Sequence, residues 1–246
     1  LESGINPADV YVIEPDSKVA KRLAGFGVHV FAAPDALPAR AETIIFAVKP
    51  QIMNDVVHHY RTLAGDETVF LSIAAGCKIS LFERHLGNVP VVRAMPNTPA
   101  AVGFGMTVAC ANDLTGRGQK ARCQQLLEAV GEVDWVADEA LMDPVTAVSG
   151  SGPAYVFLLM EALAAAGEEA GLEPALALRL ARATVRGAGE LARCSEHGPD
   201  QLRINVTSPG GTTAAALEVL MADDGLACLM KRAVLAASER SRELAG

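Results

Sequence analysis

Hydrophobic and polar positions divide this chain into two halves. In the first, short apolar runs rich in β-branched residues alternate with amphipathic stretches. Val10-Tyr-Val-Ile13, Val28-His-Val-Phe31, Thr43-Ile-Ile-Phe-Ala-Val48, Thr68-Val-Phe-Leu-Ser-Ile73 and Val89-Pro-Val-Val-Arg-Ala94 read as strands. The third is apolar throughout, the pattern of a strand buried on both faces. Asp16 is placed to cap a helix over 17–24 that Gly25 and Gly27 close. A helix follows Lys49-Pro50 to about Tyr60, and another covers 79–86. Thr107-Val-Ala-Cys110 and Glu132-Val-Asp-Trp-Val136 read as late edge strands flanking a helix over 117–130. Strands alternating with helices predict βαβ units, a parallel sheet and right-handed crossovers.

From Asp138 onward the strand signal disappears. The spans 139–148, 153–170, 174–194, 212–221 and 226–244 read as helices, separated by Gly-rich or Pro-containing joints such as Ser149-Gly-Ser-Gly-Pro153. The pattern therefore predicts an α/β chain: an N-terminal Rossmann-like parallel-sheet domain over 1–138, then an all-α helical domain over 139–246. The helices over 153–170 and 174–194 carry more apolar and small positions than one bundle of this size needs, which predicts association through the helical half. The chain begins at Leu1 without an initiator methionine, in what reads as the end of a helix. The beginning of the natural protein is expected upstream of it.

Composition narrows the function. The formal net charge is −8 and no long basic run occurs, which argues against a nucleic-acid partner. Cys77, Cys110, Cys123, Cys194 and Cys228 are scattered, odd in number and without Cys-x-x-Cys spacing. They read as reduced thiols of a cytoplasmic protein. No apolar run is expected to reach the length of a membrane span. The five histidines form no metal-ligand pair, so no metal site is expected, and His58-His59 are expected to point in different directions from one helix.

Ligands of parallel sheets sit at the carboxyl ends of the strands. Here those ends are Glu14, Ala47 to Pro50, Ile73 to Gly76 and Ala94 to Asn97, all rich in small or short polar residues. An acidic residue at the position of Glu14 accepts hydrogen bonds from ribose hydroxyls and repels a 2′-phosphate; the plainer reading is a solvated turn residue before Pro15, and Lys18, Lys21 and Arg22 nearby are an alternative that serves a 2′-phosphate. No Gly-x-Gly-x-x-Gly turn follows a first strand. In the helical half, Asn205-Val-Thr-Ser-Pro-Gly-Gly-Thr-Thr213 turns sharply and opens a helix. Pro209 sets φ, while Gly210 and Gly211 permit angles closed to other residues. The free N–H groups and positive dipole end suit a small carboxylate; the plainer reading is an ordinary helix start after a Pro-Gly turn.

Five segments together resemble pyrroline-5-carboxylate reductase along nearly the full chain. They are Phe46-Ala-Val-Lys-Pro50, Ser72-Ile-Ala-Ala-Gly76, Arg93-Ala-Met-Pro-Asn-Thr-Pro99, Ser149-Gly-Ser-Gly-Pro-Ala-Tyr155 and Asn205 to Thr213. The resemblance implies reduction of the C=N bond of 1-pyrroline-5-carboxylate to L-proline with NADPH or NADH, the last step of proline biosynthesis. It implies a homodimer formed through the helical domain, which often assembles further into a decamer, a pentamer of dimers. Carried over, the cofactor contacts are Glu14, Ala47, Val48, Lys49, Pro50, Ile73, Ala74, Ala75, Asn97 and Asn205. The substrate contacts are Glu139, Glu196, Ser208, Gly210, Gly211, Thr212 and Thr213, with Thr213 as the catalytic hydroxyl. The family's first strand and glycine loop have no counterpart here. Two other classes stay open from the residues alone. One is a related reductase with a catalytic lysine in its helical domain, where Lys231 is the only lysine beyond Lys120. The other is a non-catalytic NAD-binding protein.

Overall fold

The computed structural model describes residues 4–37, 41–65 and 67–244. The helix end expected at Leu1 lies outside the described residues. The chain forms two compact units, residues 1–146 with 241–246 and residues 147–240.

The first unit is built on seven strands, among the described residues: β1 (Tyr11–Ile13), β2 (His29–Phe31), β3 (Thr43–Phe46), β4 (Val69–Ser72), β5 (Val91–Met95), β6 (Gly105–Ala111) and β7 (Gly131–Trp135). The helices between them are α1 (Ser17–Ala24), α2 (Met53–Val57), α3 (Ile79–Leu86) and α4 (Arg117–Glu128), with a short α5 (Met142–Val145) after the last strand. Asp16 caps α1 as expected, its carboxylate accepting from Lys18 N and Val19 N. After Pro50 the chain is α-helical only over α2; 3₁₀ turns flank it at Pro50–Ile52 and His58–Leu63.

The strands form a parallel ribbon β1-β2 and a five-stranded sheet in the order β3-β4-β5-β6-β7. The pairs β3-β4, β4-β5 and β6-β7 are parallel, but β5-β6 is antiparallel. This corrects the expectation of a wholly parallel sheet with β6 at an edge. The connection 96–104 holds only a 3₁₀ turn, Thr98–Val102. A parallel return needs a crossover of about a dozen residues or more, so the chain doubles back instead. The order of dinucleotide-binding sheets puts one parallel strand between those equivalent to β1 and β3. Among the described residues no strand takes that place.

The open edge changes β3. Ile44 and Phe46 are buried against α2 and α3, with Phe70, Phe82 and Val91. Ile45, on the other face, is 47% exposed, so β3 is not buried on both faces as its sequence predicts. The apolar cluster on that face consists of Val69, Leu71, Val92, Ala94 and Ala109 with Cys123 and Leu127 of α4, and its fully buried members stop at β4.

The second unit is helical: α6 (Gly152–Glu169), α7 (Pro174–Cys194), α8 (Pro199–Asn205), α9 (Thr212–Leu220) and α10 (Leu226–Leu244), whose last turn belongs to the first unit. A π turn, Thr146–Gly150, leads into α6. Helix α8 is absent from the sequence reading, although Pro199 and Asp200 in its first turn are start signals. Asn205 is the last residue of a helix, not the first of a connector. Ala164 of α6 and Ala177 and Ala181 of α7 are buried. A Cβ at Gly167 would lie 3.3 Å from that of Ala177, so these two helices meet through small residues.

Much of α6 stays uncovered: Val156, Phe157, Leu158, Leu159 and Leu163 are all exposed. Within the helical stretch Glu139–Glu169 the most apolar window has a mean hydropathy of 1.3, so by length and composition alone the stretch is long and apolar enough to cross a membrane. The sequence reading of that length is thereby corrected. The polar joint Ser149-Gly-Ser-Gly reads as an interruption, but the π turn covers it to Gly150, and Ser151 keeps right-handed helical angles as the N-cap of α6.

Candidate functional site

Strands β3, β4 and β5 are parallel neighbours, so their carboxyl ends line one edge of the sheet. This brings together Ala47 to Pro50, Ile73 to Gly76 and Met95 to Asn97. The row is held locally. Ser72 Oγ accepts from Ala74 N at 3.3 Å, Asn97 Oδ1 accepts from Met106 N at 2.9 Å, and Lys49 precedes the 3₁₀ turn at Pro50. Ala47, Lys49, Pro50 and Ala75 are exposed, Val48, Ile73 and Asn97 half-buried, and Ala74 buried. Gly76 turns the chain with φ +72°, a conformation few side chains adopt. Glu14 follows β1 in the separate ribbon; its backbone N–H donates to Phe31 O, and its carboxylate accepts from Asp16 N at 2.8 Å.

Glu139, expected near the substrate, makes its side-chain contacts with two residues of its own unit. Its Oε1 accepts from Arg93 Nη1 and from Ile79 N, both at 2.9 Å. Arg93 lies in mid-β5 with its side chain 4% exposed. The sequence reading quoted Arg93 only as part of a motif. The missed signal was a lone cation inside the apolar run Val91-Val-Arg-Ala-Met95, which a buried strand tolerates only with a partner. Two thiols flank the pair in its field. Burial pushes the Cys77 thiol up, against the pull of Arg93. Burial, reinforced by Glu139, pushes Cys110 up to about 11.

In the helical unit, Ser208-Pro209-Gly210-Gly211 forms a turn closed by Gly211 N donating to Ser208 O at 3.0 Å. Pro209 second and Gly210 third with φ +67° is the pattern of a type II turn. Only Gly210 uses left-handed backbone; Gly211 sits at φ −83° and is the N-cap of α9. No side chain caps that helix. The first N–H groups of α9 therefore lack intrahelical acceptors. Thr212 is exposed and Thr213 half-buried in this first turn. Asn205 ends α8 just before the turn, exposed, its Oδ1 accepting from Gln201 Nε2 at 2.8 Å. Glu196 is exposed in the bend between α7 and α8. Lys231 is exposed as the sixth residue of α10, early in that helix. His58 and His59 do not diverge as expected; their rings lie 3.9 Å apart between centroids.

Comparison with known proteins identifies the family. Residues 139–244 match the family described as pyrroline-5-carboxylate reductase dimerisation. The chain is 42% identical over 244 residues to a Pseudomonas aeruginosa pyrroline-5-carboxylate reductase, covering 98% of this chain and 89% of that protein. Among solved structures, a Coxiella burnetii pyrroline-5-carboxylate reductase superposes with a TM-score of 0.93 at 36% identity, covering 99% of this chain and 91% of the other. A Plasmodium falciparum pyrroline carboxylate reductase with NADP bound gives 0.83 at 29% identity, covering 100% and 91%. Identity of this level, over nearly the whole of both partners, establishes that the chain belongs to the pyrroline-5-carboxylate reductase family.

Proposed function

We propose that this protein reduces 1-pyrroline-5-carboxylate to L-proline with NADPH or NADH, the last step of proline biosynthesis. The observation that carries the reading is the uncapped start of α9 behind the Ser208–Gly211 turn, inside the segment that matches the family. Backbone N–H groups there suit the substrate carboxylate, since both the unpaired donors and the helix dipole favour an anion. Ser208, Gly210, Gly211, Thr212 and Thr213 form this anion end, and Glu196 is assigned to the same substrate.

A flat nucleotide cofactor fits the carboxyl edge of β3 to β5. Ala47, Ala74 and Ala75 present little side chain there, and Gly76 allows close approach of the backbone. Val48, Lys49, Pro50, Ile73 and Asn97 complete the row. Glu14 is assigned to the ribose hydroxyls and Asn205 to the cofactor from the helical unit. Among the described residues there is no glycine-rich pyrophosphate cradle, and none is assigned. When bound, the nicotinamide supplies the hydride. The Thr213 hydroxyl is far too weak an acid to donate a proton unaided, so its part is to orient the ring nitrogen by a hydrogen bond and keep it protonated. Fixing the carboxylate, on the ring carbon bonded to that nitrogen, sets the face and distance of the imine carbon on the nitrogen's other side, which supplies much of the acceleration.

Residues 1–138 are assigned to dinucleotide binding and 139–246 to dimerisation and substrate. The exposed apolar stripe Val156 to Leu163 is read as the contact with a second copy, and not with lipid, because it lies within the dimerisation match. The working assembly is a cytoplasmic homodimer, extending to a decamer, without nucleic-acid or membrane partners. Thr213→Ala tests the reading. It leaves the backbone donors in place and removes one oriented hydrogen bond, worth about 2–3 kcal/mol or roughly a hundredfold in kcat/KM. Wild-type kinetics in this variant, with an unchanged melt, would remove Thr213 from the chemistry.

A further inference from the structure

The cofactor edge rests on loops that leave two neighbouring strands, and one carboxylate oxygen fixes both exits. We propose that Glu139 is a positioning residue for these loops, acting through Arg93 and the Ile79 N–H, and is not a ligand of the substrate. The proposal rests on the cofactor assignment above.

The geometry is as follows. After β4, residues 73–78 turn through Gly76 and enter α3 at Ile79. Lys78, the N-cap of α3, makes no side-chain cap to it. Glu139 supplies the missing acceptor from sixty positions away, with Oε1 2.9 Å from Ile79 N. A carboxylate at a helix start is favoured both as a hydrogen-bond acceptor and by the helix dipole. The same oxygen takes Arg93 Nη1 at 2.9 Å. Arg93 precedes Met95, the last residue of β5, by two positions, and so governs how the chain enters the loop at Asn97. Glu139 is itself held, because Asp138 caps the 3₁₀ turn Glu139–Leu141 by accepting from Ala140 N.

Charge points the same way. The Arg93 side chain is almost wholly buried and needs its counter-ion. A carboxylate committed to a buried guanidinium and a helix N-terminus is a poor ligand for a substrate that carries a carboxylate of its own. Loss of Glu139 leaves the guanidinium unpaired and the α3 start uncapped, and both loops on the cofactor edge relax together.

The test separates cofactor from substrate. NADPH binding to the purified protein is followed by nucleotide fluorescence without substrate, and amide exchange is followed over 73–79 in the free chain. KM for pyrroline-5-carboxylate is measured at saturating NADPH. Glu139→Ala is expected to raise the NADPH Kd about tenfold and speed exchange at 73–79, with KM for the imino acid within about twofold of wild type. Glu139→Gln, which keeps an acceptor oxygen but not the charge, should fall between wild type and alanine, and it decides the matter if Glu139→Ala does not fold. Arg93→Met combined with Glu139→Ala should cost little more than either alone. A Gln variant with an unchanged NADPH Kd and a raised imino-acid KM would overturn the proposal. The cofactor titration needs no turnover, so a chain that binds NADPH but leaves pyrroline-5-carboxylate untouched refutes the reductase reading alone.

Discussion

The turn in front of α9 makes a sharp, position-specific demand. Gly210 has φ +67°, and nothing lies within 4 Å of where its Cβ would stand. Alanine there meets no neighbour and suffers only the backbone conformation. An L-residue in the left-handed region costs about 1–2 kcal/mol. Asparagine tolerates that region better and should cost less. Gly211 is the reverse case. Its φ of −83° suits any residue, but a Cβ would sit 3.1 Å from Ser208 O and 3.4 Å from Ser208 Cβ. The carbonyl it crowds is the one that accepts Gly211 N and closes the turn.

The expected order of damage therefore follows from the structure. Gly210→Ala should raise KM for pyrroline-5-carboxylate by roughly fivefold to thirtyfold, the equivalent of its conformational cost. If the turn keeps its shape, the same energy appears as a melting temperature lower by roughly 2–8 °C. Gly210→Asn should fall between alanine and wild type in both. Gly211→Ala should disturb KM with no left-handed cost and without gain from asparagine. Steady-state kinetics with melting curves on the three variants check this. Wild-type KM and melting in Gly210→Ala would refute the reasoning, as would asparagine worse than alanine at that position.

Three further outcomes are expected. Glu14→Ser should improve use of NADPH relative to NADH, because it removes a carboxylate facing the 2′-phosphate; an unchanged cofactor ratio would show that Glu14 does not read the ribose. Phe157→Asp places a charge on the exposed stripe of α6, and sedimentation should show the dimer dissociating; an intact dimer would put the interface elsewhere. Burial holds Cys110 and Cys123 up at about 11 against an ordinary thiol value of 9.0. The folded state thus binds these protons more tightly, so their contribution to stability is complete below pH 9 and is lost between pH 9 and 11. Melts from pH 8 to 11 should fall less steeply in a Cys110→Val, Cys123→Val variant, and an identical slope would contradict the assignment.

Local rules carried much of this protein. Helices α1 and α7 start at local signals, the Asp16 cap and Pro174, and Gly25 and Gly87 close α1 and α3, because those signals act over a few residues. The strands announce themselves by β-branched runs, and the Ser208–Thr213 turn by Pro and Gly at fixed offsets. Its assignment of strain was less precise, because only backbone angles distinguish Gly210 from Gly211. What escaped depends on contacts between distant segments. The reversal of β6 follows from a connection too short for a crossover, and the exposure of Ile45 from an edge left open beside β3. The contacts of Glu139 are the clearest case. The family resemblance puts this residue near the substrate, and nothing in the sequence announces the partners it meets in space, Arg93 and Ile79, 46 and 60 positions away. Charge pairing and helix capping are satisfied wherever the fold brings a donor to an acceptor, and periodicity along the chain contains no record of that meeting.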